Sequence, residues 1–128
     1  MTAMVGERSG RWKLSWSRRP SGEPYTITPE ELKGKLDRGE AVVLVDVREE
    51  DEWAINRIQG ATLIPLATLP QRARELDPAA EIVAYCKMGS RSEQAVYYLR
   101  RLGFPKAKNL EGGIDAWIQR VDPTLPPY

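Results

Sequence analysis

The chain of 128 residues contains one cysteine and no histidine, and the cysteine stands in the stretch AYCKMGSRSE at positions 84 to 93. A thiol is a potential nucleophile, but without an imidazole neither a Ser-His-Asp nor a Cys-His arrangement is available to activate it. One cysteine forms no internal disulfide, and with no histidine beside it there is no ligand set for zinc. No metal and no cofactor are therefore expected. Activation must come from backbone amides, cations or a helix end. Cys86 is followed by Lys87, Met88, Gly89, Ser90, Arg91 and Ser92. A loop this short, with a flexible glycine, can curl so that successive N–H groups converge on one point in front of a helix. Lys87 and Arg91 add Coulombic attraction, and Ser90 and Ser92 offer hydroxyl donors to an anion or to a sulfur carried on Cys86. A thiol of pKa near 8.5 is only about 3% ionised at pH 7, whereas lowering it to about 6 makes it roughly 90% thiolate. By residue type alone, a cysteine ending an apolar strand is more often a small buried hydrophobe. Its position in the chain therefore matters.

That position follows from the hydrophobic pattern. EIVAYC (81–86) is a continuous apolar run of strand length that stops at the cysteine, and AVVLVDV (41–47) is a second such run. Strands buried on both faces have this composition. SRSEQAVYYLRRLGF places Ala95, Val96, Leu99 and Leu102 at helical spacing, with Gly103 as the terminating residue. Cys86 thus falls between the end of a buried strand and the start of a helix, where ligands bind in open α/β sheets. Elsewhere, Thr28, Pro29 and Glu31 form a capping box that opens a helix running to about Arg38, before Gly39. A short helix is expected in EEDEWAI, a short strand in ATLIPL (61–66) and a helix in ATLPQRARELD. A short strand near AKNL and a helix in GIDAWIQRV close the chain. Strands alternating with helices predict a mainly parallel sheet covered on both faces.

Composition narrows the class further. The chain is 41% apolar and 29% charged with a formal net charge of +1, values that suit one globular domain and call for no nucleic-acid partner. No apolar run approaches the roughly 20 residues of a membrane helix, and MTAMVGERSGRWKLSW lacks a signal-peptide apolar core. A cytoplasmic protein without a membrane partner is expected. Residues 1–22 hold Arg8, Arg11, Lys13, Arg18 and Arg19 against Glu7, so they read as a basic flexible tail or interdomain linker preceding a domain over 23–128. Within the tail, Trp12, Leu14 and Trp16 alternate with polar residues as a docked strand would.

CKMGSRS resembles the active-site loop of rhodanese-type sulfurtransferases. LVDVREEDEWAINRIQGATLIPL is similar to that family's first signature, and NLEGGIDAW to its C-terminal one. The resemblance covers about residues 25 to 120. It implies a three-layer α/β/α rhodanese-like fold with about five strands, and Cys86 alternating between thiolate and persulfide within a cradle of Lys87 to Ser92. The four residues between Cys86 and Arg91 match the sulfurtransferase loop, whereas phosphatases of the same fold have five. A phosphatase or arsenate reductase, and a non-catalytic binding module, are the alternatives. Asp46 and Arg48 match the family's Asp-x-Arg, as a structural ion pair, a support of the loop or a substrate contact. Trp53 and Trp117 match aromatic positions expected in the core, and Glu111, Gly112 and Gly113 are expected to shape a turn and cap the last helix. One departure is Asn56-Arg57-Ile58, where the family commonly has Gly-His-Ile.

YCKMGSRSEQA and the ending VDPTLPPY also look like the C-terminal domain of two-domain proteins that activate ubiquitin-like sulfur carriers. That resemblance implies an adenylyltransferase domain and a carrier protein as partners, in molybdopterin, thiamine or tRNA thiolation pathways. It leaves thiosulfate and a cysteine desulfurase persulfide as the sulfur donors.

Overall fold

The computed structural model describes residues 24–128; the tail with Trp12, Leu14 and Trp16 lies outside them. The element order is β1 (Thr26–Ile27), α1 (Pro29–Asp37), β2 (Val42–Asp46), α2 (Glu50–Ile55), β3 (Thr62–Leu63), α3 (Leu69–Arg72), β4 (Glu81–Tyr85), α4 (Ser90–Arg101), β5 (Lys108–Leu110) and α5 (Gly113–Arg120). Short 3-10 turns flank α3 at Leu66–Thr68 and Ala73–Glu75. The five strands form one sheet in the order β1-β5-β4-β2-β3, and every pairing is parallel.

The two apolar runs lie side by side at the centre, with Val42 opposite Glu81 and Asp46 opposite Tyr85. Because side chains alternate along a strand, Val45, Ile82, Ala84 and Cys86 face one way and pack with Ala95, Val96 and Leu99 of α4. Leu44, Val83 and Tyr85 face the other way, against Leu32 of α1 and Ile114, Trp117 and Ile118 of α5. The result is the expected three-layer α/β/α arrangement. The capping box of α1 forms as the sequence requires: Glu31 N–H donates to Thr28 Oγ1 at 3.1 Å, and Thr28 N–H donates to Glu31 Oε1 at 2.9 Å.

Three local expectations change. The single helix expected in 67–77 is broken into 3-10, α and 3-10 turns. Pro70 has no N–H to give to the Leu66 carbonyl, so that carbonyl is taken by Leu69 N–H and the turn tightens. The strand expected over 61–66 is regular only at Thr62–Leu63. Beyond it, Ile64 and Leu66 still donate to Asp46 O and Val47 O, on either side of Pro65. Trp117 is buried as expected, but Trp53 is only half-buried. Arg57, in the position of the family's histidine, lies over the Trp53 ring with its guanidinium carbon 4.3 Å from the centroid. A cation on a ring face stays in contact with water at its edges, so this tryptophan packs at the surface.

Candidate active site

β4 ends at Tyr85, the turn 87–89 follows Cys86, and α4 begins at Ser90. Gly89 has φ of 120°, a conformation open mainly to glycine. It aims the Gly89 N–H at Cys86 Sγ, 3.1 Å away. The Ser92 hydroxyl stands 3.3 Å from the same sulfur. Cys86 is 1% exposed, and its buried setting alone would push the thiol up. The Ser92 hydroxyl and the N–H groups of Ser92, Gly89 and Arg91 outweigh that effect, leaving the thiol below its ordinary value. Of the groups the sequence pointed to, the amides of the loop and the Ser92 hydroxyl bond to the sulfur and Ser90 does not, while Arg91 contributes Coulombic attraction to Cys86.

The two cations have other partners. Arg91 makes a two-pronged pair with Glu52 on α2, at 2.7 and 3.0 Å, and that contact holds the Glu52 carboxyl below its usual range. Lys87 Nζ lies 3.0 Å from Asp115 on α5, 3.1 Å from the main-chain oxygen of Tyr128 and 4.6 Å from the Tyr128 ring centroid. The Tyr128 hydroxyl is bonded to Glu52. Ser90 and Met88 are exposed at the tip of the loop. Of the two serines, only Ser92 has a hydrogen bond to the sulfur among the described residues.

Two supports hold the loop in this shape. Ile114 N–H donates to Cys86 O and Asp115 N–H to Lys87 O, at 2.9 and 3.1 Å, so the first turn of α5 sits on the loop backbone. Gly113 makes this approach possible, since a Cβ there would stand 2.6 Å from Cys86 O and nearer still to Lys87 O. Glu111-Gly112-Gly113 thus does shape the turn, with Gly112 at φ 76° and Gly113 at φ 63°, and it also serves as the platform for the cysteine loop. The second support is Asn109 on β5. Its Nδ2 donates to Gly89 O at 3.1 Å while its Oδ1 accepts from the Ser92 hydroxyl at 2.5 Å.

Asp46 and Arg48 are fully buried. Arg48 Nη2 is 2.8 Å from Asp46 Oδ2, and the guanidinium also donates to Asn56 Oδ1 and O at 2.9 and 2.7 Å. Of the readings open in the sequence, this geometry favours a structural ion pair that fixes the end of α2, the helix carrying Glu52. Glu52, Asp115, Asn109 and Tyr128 were not singled out as site residues in the sequence. The signal available for the acids was charge balance: two loop cations near a buried thiol call for carboxylate partners. The described residues also border an open depression of about 550 Å³ lined by Thr26, Glu30, Lys35, Glu81 and Lys108, toward the starts of the strands and so at the end opposite Cys86.

A parallel three-layer α/β/α domain holding one thiol among backbone amides at a helix start is the architecture that the rhodanese-like resemblance implied. The chain belongs to the rhodanese-like domain family, whose pattern matches residues 28–120. It is 43% identical over 112 residues to the probable adenylyltransferase/sulfurtransferase MoeZ of Mycobacterium tuberculosis, an alignment covering 80% of this chain and 27% of that protein. It is 38% identical over 101 residues to a sulfurtransferase of Allochromatium vinosum, covering 79% of this chain and 94% of the other. The crystal structure of a rhodanese-like domain protein from Staphylococcus aureus superimposes with a TM-score of 0.72 at 36% identity, covering 82% of this chain and 99% of that one. The chain therefore spans about a quarter of the MoeZ length but nearly all of the single-domain relatives.

Proposed function

We propose that the protein is a sulfurtransferase that carries sulfane sulfur as a persulfide on Cys86. The observation that carries this reading is the convergence of Gly89 N–H and the Ser92 hydroxyl on a buried Sγ, a setting that favours an anionic sulfur without a general base. With thiosulfate as donor, the Cys86 thiolate attacks the outer sulfur. An S–S bond to Cys86 forms, the bond to the sulfonate breaks, and sulfite leaves with the electron pair. The terminal persulfide sulfur is itself an anion, held by the same donors. A nucleophile such as cyanide attacks that outer sulfur, the S–S bond breaks with its electron pair returning to Cys86 Sγ, and thiocyanate leaves; toward an electrophilic acceptor the persulfide sulfur is itself the attacking group.

Lys87, Met88, Gly89, Ser90, Arg91 and Ser92 form the cradle, and Asp46 and Arg48 support it through α2. The likeness to MoeZ supports the activated C-terminus of a ubiquitin-like sulfur carrier as acceptor, and an adenylyltransferase as partner. Residues 1–22 then serve as an interdomain linker, and the setting is cytoplasmic. Persulfide attack on an acyl-adenylate expels AMP and leaves an acyl disulfide on Cys86. With one cysteine in these 128 residues, the thiol that releases the thiocarboxylate lies outside them.

The test is thiocyanate formation from thiosulfate and cyanide by the wild type and Cys86→Ser. Loss of turnover with unchanged circular dichroism is expected. Equal turnover by the serine variant would overturn the assignment.

A further inference from the structure

Both cations of the cysteine loop are paired with carboxylates, and these four charged groups form its rim. Arg91 is held by Glu52, whose side chain is 13% exposed, and Lys87 by Asp115. Counting these four groups, the rim carries two positive and two negative charges. The charge on the α2 side is more acidic still, because Glu50 and Asp51 precede Glu52 in the first turn and no basic residue stands in the last turn. A free dianion entering this rim would have to displace Glu52 from Arg91 or approach with that carboxylate in place. Either route costs binding energy that an uncharged group would not lose. Two of the exposed apolar side chains, Met88 at 69% and Tyr128 at 40%, belong to the loop and to the residue that touches both Lys87 and Glu52. Such flanks suit contact with a protein or peptide better than contact with a small solvated ion.

Building on the persulfide reading above, we propose that Glu52 and Asp115 are specificity-determining residues that make the surroundings of the cysteine loop a poor host for small free dianions such as thiosulfate and favour sulfur exchanged with a less highly charged group carried by another protein. Neither carboxylate bonds to the sulfur of Cys86; each acts through the cation it holds. Gln at position 52 keeps an acceptor for the Arg91 fork while removing the charge, and Asn does the same for Lys87 at position 115.

The test compares alkylation of Cys86 by iodoacetate and by iodoacetamide, two probes of similar size that differ by one negative charge, in wild type, Glu52→Gln and Asp115→Asn. Removing one negative charge from a half-solvated rim changes the reactivity of a monoanion roughly fivefold, and of a dianion by about the square of that. The iodoacetate to iodoacetamide rate ratio is expected to rise roughly fivefold in each variant while the iodoacetamide rate stays within about twofold. An unchanged ratio in both variants overturns the proposal. In the wild type the ratio is expected to be nearly flat between low and high salt. A several-fold fall with salt would mean an uncompensated cationic rim and would also overturn it, without any variant having to fold. Thiosulfate kcat/KM is expected to rise at least tenfold in Glu52→Gln. If the alkylation ratios shift but neither wild type nor variant turns over thiosulfate or takes up sulfur from a persulfide-loaded cysteine desulfurase, the persulfide reading fails while the electrostatics of the loop stand.

Discussion

Ser92 offers the sharpest perturbation of the thiol. Its hydroxyl has one proton and three acceptors within reach: Asn109 Oδ1 at 2.5 Å, Gly89 O at 3.2 Å and Cys86 Sγ at 3.3 Å. While Cys86 is a neutral thiol, the short Asn109 contact holds that proton. Once Cys86 ionises, the sulfur becomes a charged acceptor and competes for it, because charge-assisted hydrogen bonds are roughly twice as strong as neutral ones. Replacing Ser92 with Ala removes this donor and leaves the amide donors of Gly89, Ser92 and Arg91. A hydrogen bond to a charged group contributes about 1.5 to 3 kcal/mol, and one pKa unit corresponds to about 1.4 kcal/mol. The long 3.3 Å contact and the competition from Asn109 place Ser92→Ala at the lower end, so the thiol pKa should rise by about one unit. The assay is the pH dependence of iodoacetamide alkylation of Cys86. Ser92→Thr, which keeps a hydroxyl, should recover most of the shift. If Ser92→Ala moved the pKa by less than about 0.3 unit, the hydroxyl would not be the donor that holds the thiolate, and the weight would pass to the helix amides. Ser92→Ala also leaves Asn109 Oδ1 without its donor, for an expected loss of about 1 to 3 kcal/mol in unfolding free energy.

Further consequences follow from the supports around the loop. Gly113→Ala should distort the cysteine loop, since its Cβ would overlap the carbonyls of Cys86 and Lys87; the expected result is a loss of about 2 kcal/mol or more in urea unfolding together with a changed Cys86 alkylation rate. Arg48→Ala should destabilise by about 3 to 5 kcal/mol by leaving Asp46 buried and unpaired, and a loss below about 1 kcal/mol would contradict the buried pair. The pH dependence has a fixed sign. Because the folded protein holds the Cys86 thiol below its ordinary value, stability should grow as pH rises through the folded pKa, be complete above the ordinary value, and show no such rise in Cys86→Ala. Glu52 is likewise lowered from 4.5, so its contribution is present above the ordinary carboxylate range and lost as pH falls through the folded pKa; Glu52→Gln should flatten that acid limb.

Much of the architecture was legible because the central elements are locally consistent. The runs 41–47 and 81–86 have the length and β-branched composition of strands buried on both faces, and Thr28-Pro29-Glu31 marked where α1 begins. β1 escaped because two residues carry no periodicity; it exists through Asn109 N–H donating to Tyr25 O and Glu111 N–H to Ile27 O. The broken helix around Pro70 was missed for the same kind of reason, since a missing donor matters only once its would-be acceptor, Leu66 O, is known. The sequence also placed Cys86 between a strand end and a helix start. It could not show which loop groups face the sulfur. Nor could it show that Lys87 and Arg91 also have carboxylate partners, because these lie far along the chain, at Asp115 and Glu52, and only the fold brings them together. Asn109 illustrates the limit most simply: its amide orientation, fixed by Gly89 O on one side and Ser92 on the other, has no trace in residue order.

The central claim is that the amide and hydroxyl cradle turns Cys86 into a sulfur carrier. Intact-protein mass measurement after incubation with excess thiosulfate and removal of the reagent tests it most directly. The account predicts a gain of about 32 Da, one sulfur atom, that maps to the peptide containing Cys86, disappears on treatment with cyanide or a reducing thiol, and is absent from Cys86→Ser. A wild-type protein that keeps its unmodified mass under these conditions, and also after exposure to a cysteine desulfurase loaded with persulfide, would contradict the account.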